Sequence, residues 1–161
     1  MHKALLTLVI AALLTACNSN VIESDTRSIA SAVWEKNDTI SFAVQPKDSL
    51  QSYDMFLQVR NTNNYPFNNL FLIVSMEFPH GKVVTDTLEY KMANPDGSWL
   101  GTGFGTIKEN KLWYKEGITF FEGGTYNLRI THAVRNNGEV DGVTALEGIS
   151  DVGYSIEAVS E

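Results

Sequence analysis

From Ile40 onward the apolar residues recur at every second position, the period of a strand with one buried face. Ile40, Phe42 and Val44 share one face of residues 39–44. Tyr53, Met55, Leu57 and Val59 share one face of the next run, with Asp54, Gln58 and Arg60 opposite. Residues 70–78, LFLIVSMEF, are apolar on both faces at their start, which predicts a central strand covered on both sides. Residues 83–90 form a further strand. The clearest alternation sets Tyr126, Leu128, Ile130 and His132 against Thr125, Asn127, Arg129 and Thr131. Val152, Tyr154 and Ile156 close the chain on one face. Turn-forming residues separate these runs at 45–48, 61–66, 79–81, 94–97, 123–124 and 136–138. Several short strands and no long amphipathic helix predict an all-β fold, an antiparallel β-sandwich of Ig-like or jelly-roll-like kind. A closed barrel is the alternative, and the pattern does not encode strand order.

The N-terminus has a different pattern. Ala4 to Leu14 is an unbroken run of apolar and small residues behind Lys3. Its length falls well short of the ~20 residues that span a membrane but matches the core of a secretory signal. Leu14-Thr15-Ala16-Cys17 follows: an aliphatic residue, two small ones, then cysteine. That order is the processing site of bacterial lipoprotein precursors. Small side chains admit the peptidase, and the cysteine sulfur takes up diacylglycerol. The competing reading, a buried thiol closing an N-terminal helix, leaves the charge, the length and the box as coincidences. The expectation is a cleaved signal peptide over 1–16 and lipid attachment at Cys17. Two or more acyl chains then hold the protein firmly on its membrane.

Residues 17–33 are polar, small and without clear period as far as Ile29, and are expected to form the lipidated N-terminus and a tether. Ile29–Trp34 reads as a short helix or a leading strand. The domain proper is expected over 34–161. Processing leaves 145 residues, enough for one domain with its own core. Cys17 is the only cysteine, so no disulfide within the chain supports that core. The formal net charge of −7 is the wrong sign for nucleic acid or for a polybasic membrane patch. No dense acidic cluster follows Cys17, which favours the periplasmic face of the outer membrane over the cell surface.

Candidate chemistry is sparse. Gly101, Gly103 and Gly105 are not followed by a helical period, and position 106 is Thr, so a phosphate loop is not indicated. Alternating glycines in a strand instead leave room for a bulge, or for Trp99, Phe104 or Trp113 to pack across them. His80 lies in a turn, and His132 reads as a buried, hydrogen-bonded core residue. Without a second cysteine the two make a poor zinc set. Residues 94–98 lack the acidic spacing of a calcium loop. Residues 148–153, GISDVG, miss a nucleophile elbow by one position. No cofactor and no catalytic set is expected, although two carboxylates paired by the fold leave no mark in sequence. Arg60 and Arg135 each end a strand and open an Asn-rich segment. They are candidate contacts to a partner or a carboxylate, set against surface or inter-strand ion pairs. Tyr53, Tyr65, Trp99 and Trp113 suit a sugar only if they are exposed and coplanar in a groove.

The stretches RNTNNYPFNNLFLIV, DGSWLGTGFG, ITHAVR and GISDVGYSIE occur in that order. With them the chain, over roughly Trp34 to Glu157, resembles the gliding-motility lipoprotein GldH family of Bacteroidetes. Arg60-Asn61, Tyr65-Pro66, Asn69-Leu70, Trp99 to Gly103 and Gly148 to Gly153 carry the pattern. Ala133-Val134-Arg135 stands where Ala-Met-Arg is common in the family. The resemblance implies an envelope lipoprotein needed for gliding on surfaces and linked to type IX secretion. It brings no catalytic residues, and its motifs read as fold-defining. Secretion or envelope assembly is the part shared with members from non-gliding relatives. The same lineage implies O-glycosylation at Asp followed by Ser or Thr and an aliphatic residue, met at Thr39, Ser49 and Thr87.

The reading is a non-enzymatic binding or scaffold component of gliding and of the associated type IX secretion machinery. Its partners would be other envelope proteins of those systems and the membrane, reached through Cys17. A carbohydrate-binding envelope lipoprotein is the alternative.

Overall fold

The computed structural model describes residues 20–45 and 48–159; the expected signal peptide over 1–16 and Cys17 lie outside them. Ten strands follow one another: β1 (Val21–Ser28), β2 (Val33–Glu35), β3 (Ile40–Val44), β4 (Tyr53–Thr62), β5 (Asn69–Glu77), β6 (Val83–Lys91), β7 (Ile107–Ile118), β8 (Tyr126–His132), β9 (Ala145–Glu147) and β10 (Ile149–Ala158). The antiparallel partners are nested. β5 pairs with β6, β4 with β7, β3 with β8 and β1 with β10. A long hairpin rolled upon itself in this way is a jelly roll. It yields two four-stranded sheets, β1-β10-β4-β7 and β3-β8-β5-β6, with a small β2-β9 sheet outside them.

Alternation decides which face of each strand turns inward. Ile40, Phe42 and Val44 are buried while Ser41 and Ala43 face water. Tyr126, Leu128, Ile130 and His132 are buried, as are Val152, Tyr154 and Ile156. These faces meet in one core with Met55, Leu57, Val59, Leu72 and Val74. Burying an aliphatic or aromatic side chain of this size contributes about 1.5–3 kcal/mol, so each inward position pins its strand's register. Most polar groups carried inward are paired, His132 excepted. Trp34 Nε1 donates to the Asp38 carbonyl at 2.9 Å, and the Tyr154 hydroxyl donates to Glu23 at 2.7 Å.

Four expectations change. Part of the stretch 17–33 is sheet rather than tether: Val21–Ser28 pairs along β10, so the domain begins at Val21. Its polar side chains conceal this, because an edge strand is held by its backbone ladder and need bury little. Ile29–Trp34 is both alternatives in succession, a 3-10 turn at Ala30–Ala32 running into β2. β5 is central in its sheet but covered on one side only, with Ile73 36% exposed on the other. The glycine-rich stretch is a loop between β6 and β7, not a strand. There Gly101 leaves no room for a side chain, since a Cβ would lie 2.7 Å from Asn110 Oδ1.

The two ends of the sandwich differ. One end holds the start of β1, the end of β10, residues 48–52 and the connections 78–82 and 119–125. The opposite end holds the long connections 62–68, 92–106 and 133–144 and the β2-β9 sheet.

Candidate functional site

The long-loop end collects most of the motif residues. β4 delivers Arg60 and Asn61 to it, and β8 delivers Arg135 just past its last residue. Asn61 is fully buried and its amide donates to the Thr62 carbonyl. Asn110, from β7, donates from its own amide to the Val59 carbonyl at 3.0 Å and to Asn61 Oδ1 at 2.9 Å. Tyr65 is buried beneath the following turn, its hydroxyl donating to the Asn69 carbonyl at 2.6 Å. Burial pushes that phenol far above its ordinary range. Trp99 lies 6.2 Å from Tyr65 and donates from Nε1 to Asn63 Oδ1. The Asn-Tyr-Pro and Trp-Leu-Gly motifs thus brace one loop against the other.

Gly148 joins this brace to the small sheet. Its φ is +84°, and a Cβ there would lie 2.2 Å from the Tyr65 backbone nitrogen. Its carbonyl accepts from Thr62 N–H and its N–H donates to Ala32 O, both at 2.8 Å. Ala32 and its neighbour Ser31 both hold positive φ, 52° and 57°, a conformation that costs a residue with a Cβ about 1–2 kcal/mol. These strained residues, with Thr62, Asn63, Thr106 and Glu147, line an open hollow of about 520 Å³. Backbone strain concentrates where a surface is held in a set shape for contact. Leu100, Phe104, Ile107 and Val140 are exposed around this end, and Phe104 has no cover at all.

The predicted residues fall into place as follows. Arg60 and Arg135 stand at the same end on different sheets. Arg60 is opposite Glu109 in the β4-β7 register and pairs with it at 3.5 Å, both half exposed. Arg135 is exposed beside an isolated bridge to Gly142. Thr39, Ser49 and Thr87 are all exposed. Asp86, beside Thr87, accepts from the Tyr114 hydroxyl and from Lys115, linking β6 to β7. Tyr90 completes that seam by donating to the Trp113 carbonyl at 2.6 Å. Burial and then Asp86 push its phenol up to about 12.

The four aromatics do not form a sugar platform. Tyr53 and Tyr65 are buried in the core, and Trp99 is partly covered by the loop brace. Trp113 is exposed, lying tilted on Phe56 with the Lys111 ammonium over that ring. His132 is buried as expected but not hydrogen-bonded; neither ring nitrogen finds a partner, and the ring packs edge-on to Trp34 at 5.3 Å. Burial lowers its pKa; the Trp34 backbone opposes this more weakly. His80 sits on the surface against Glu122 at 2.8 Å. Among the described residues no three His, Cys, Asp or Glu side chains converge on a metal position. Sequence reasoning passed over Asn110 and the Ser31-Ala32 pair. A polar residue at an inward position of a strand was the available signal for Asn110; the paired positive φ had none.

The fold and its braced end define an antiparallel β-sandwich whose long loops gather on one face. The model of the family described as GldH lipoprotein matches residues 21–156, and the chain belongs to that family. A gliding motility lipoprotein GldH homolog from Christiangramia forsetii is 48% identical, over 90% of this chain and 88% of that protein. The gliding motility lipoprotein GldH of Flavobacterium johnsoniae is 49% identical, over 93% and 92%. Membership makes the chain a gliding motility lipoprotein by family, anchored to a membrane of the cell envelope. Among solved structures, one of infectious bursal disease virus, Gx strain, aligns over 88% of this chain. The identity is 12% and the TM-score 0.36, and the chain spans about a third of that protein (34%).

Proposed function

We propose that the protein is held on the periplasmic face of the outer membrane by an acylated Cys17. There it acts without catalysis, as a binding or scaffold component of gliding and of the associated type IX secretion machinery. The observation that carries this reading is the near-full-length identity to two proteins named as gliding motility lipoproteins. The long-loop end supports it as the contact surface. Motif residues there brace the loops, Tyr65 on Asn69 and Trp99 on Asn63, while Arg60, Arg135, Leu100 and Phe104 stay exposed at the same end. The partners are other envelope proteins of the same systems.

Deleting the gene and measuring colony spreading and release of secreted cargo tests this. Loss of either is expected, and normal values for both would end the proposal. Exposed Thr39, Ser49 and Thr87 are proposed O-glycosylation sites; an intact mass explained by polypeptide and lipid alone removes them.

A further inference from the structure

The short-loop end carries its own apolar surface. Phe121 is 80% exposed and Leu50 92% exposed. Val21, Ile22, Val83 and Val159 are exposed at the same end. Hydrogen bonds tie these segments together. Ala158 N–H donates to Asn20 O, Val159 N–H to Ser52 O, and Tyr53 hydroxyl to Asp48 O. Gln45 reaches Thr125, and Glu122 meets both His80 and Tyr126. A cleft of about 430 Å³ opens among them, lined by Met55, Met76, Phe78, Phe120 and Phe121.

Apolarity alone does not orient the molecule, since Phe104 and Val140 are equally bare at the opposite end. Chain length does. Three peptide units separate Cys17 from Asn20, and they reach at most about 11 Å whatever their conformation. Asn20 is fixed to the sheet by Ala158, where β1 begins. The ten residues of β4 make the sandwich roughly 33 Å long. A strap a third of that length cannot let the domain stand on its long-loop end at the surface that holds Cys17. Nor is the β1 edge suited to lie on lipid, since the half-exposed Asp25–Arg27 ion pair stands along it.

We propose that the short-loop end docks directly on the phospholipid bilayer that receives the acyl chains, with Phe121 and Leu50 seated at the headgroup boundary and the cleft opening toward it. The seated tips are apolar, so docking does not require anionic lipid, although Lys82 and Lys115 also line the cleft. Docking leaves the long-loop end facing away from the membrane. This rests on the anchoring of Cys17 proposed above.

The test uses the acylated protein in vesicles of phosphatidylethanolamine and phosphatidylcholine. Single cysteines at Phe121→Cys, Leu50→Cys and Phe104→Cys each carry a nitroxide. All three side chains are exposed, so the fold is left intact, and acylation blocks Cys17 itself. Intact mass first establishes two or more acyl chains at Cys17; their absence overturns the anchor and this proposal with it. With the anchor present, labels at 121 and 50 are expected to collide several-fold more with oxygen, relative to a water-soluble chelate, than the label at 104. Equal aqueous behaviour at all three positions, or a lipid signature at 104, overturns the docking while the anchor stands.

Discussion

Replacing Gly148 by alanine probes the junction on which the long-loop end depends. The glycine has φ +84°, where an added Cβ costs about 1–2 kcal/mol. That Cβ would also lie 2.2 Å from Tyr65 N and 2.5 Å from Tyr65 Cα, so backbone must move. Movement loosens the bonds from Thr62 N–H to Gly148 O and from Gly148 N–H to Ala32 O, each worth about 1 kcal/mol. Together these make a loss of about 3–4 kcal/mol. For a domain of this size that lowers the unfolding midpoint by roughly 6–16 °C. Gly97→Ala is the matched control. Its φ is +83°, but nothing lies within 4 Å of the added atom, so only the conformational cost of about 1–2 kcal/mol remains. Thermal unfolding of the purified mature protein, followed by circular dichroism and tryptophan emission, separates the two. If Gly148→Ala melts with Gly97→Ala, the close approach to Tyr65 is not what the position requires, and the reasoning fails.

Other outcomes follow from single contacts. Replacing Asn110 by leucine strips Asn61 Oδ1 and the Val59 carbonyl of their buried donor, and is expected to cost about 1–3 kcal/mol in urea unfolding. Arg60→Ala removes only a half-exposed ion pair, so stability should stay within about 0.5 kcal/mol while colony spreading falls if Arg60 touches a partner. His132 has a folded pKa below its unfolded value, so the unfolded chain takes up its proton first. The stability tied to its neutral form is complete above the unfolded value near 6.5 and is lost as pH falls below it. His132→Phe should flatten that part of the stability profile between roughly pH 7 and 5.

What could be read in advance follows burial. β3, β4, β8 and β10 each turn a row of apolar side chains into the core, so their alternation is complete in the sequence. β1 and β7 stand at the edges of one sheet and carry Glu23, Asp25 and Arg27, and Lys108 and Asn110, at places where apolar residues would have marked them. The apparent double coverage of β5 came from Phe71 and Ile73, which sit on an outer face that nothing else covers completely. Arg60 and Arg135 were visible as strand-end residues. Their placement at the same end was not, because it depends on pairings between segments as distant as β4 and β10 or β3 and β8. The motif glycines read as structural rather than chemical, but the particular close contacts of Gly101 with β7 and of Gly148 with Tyr65 are set by segments distant in sequence.

The position of β1 also sets how the domain bears force. Its ladder with β10 runs from Val21 to Ser28, with the hydrogen bonds perpendicular to both strands. A pull entering at Asn20 and resisted at the far loops draws β1 lengthwise past β10. Every rung then carries load at once, whereas a pull across the strands would part them one rung at a time. With Cys17 as the proposed anchor, the jelly roll is therefore loaded in shear, the direction in which such a ladder yields last.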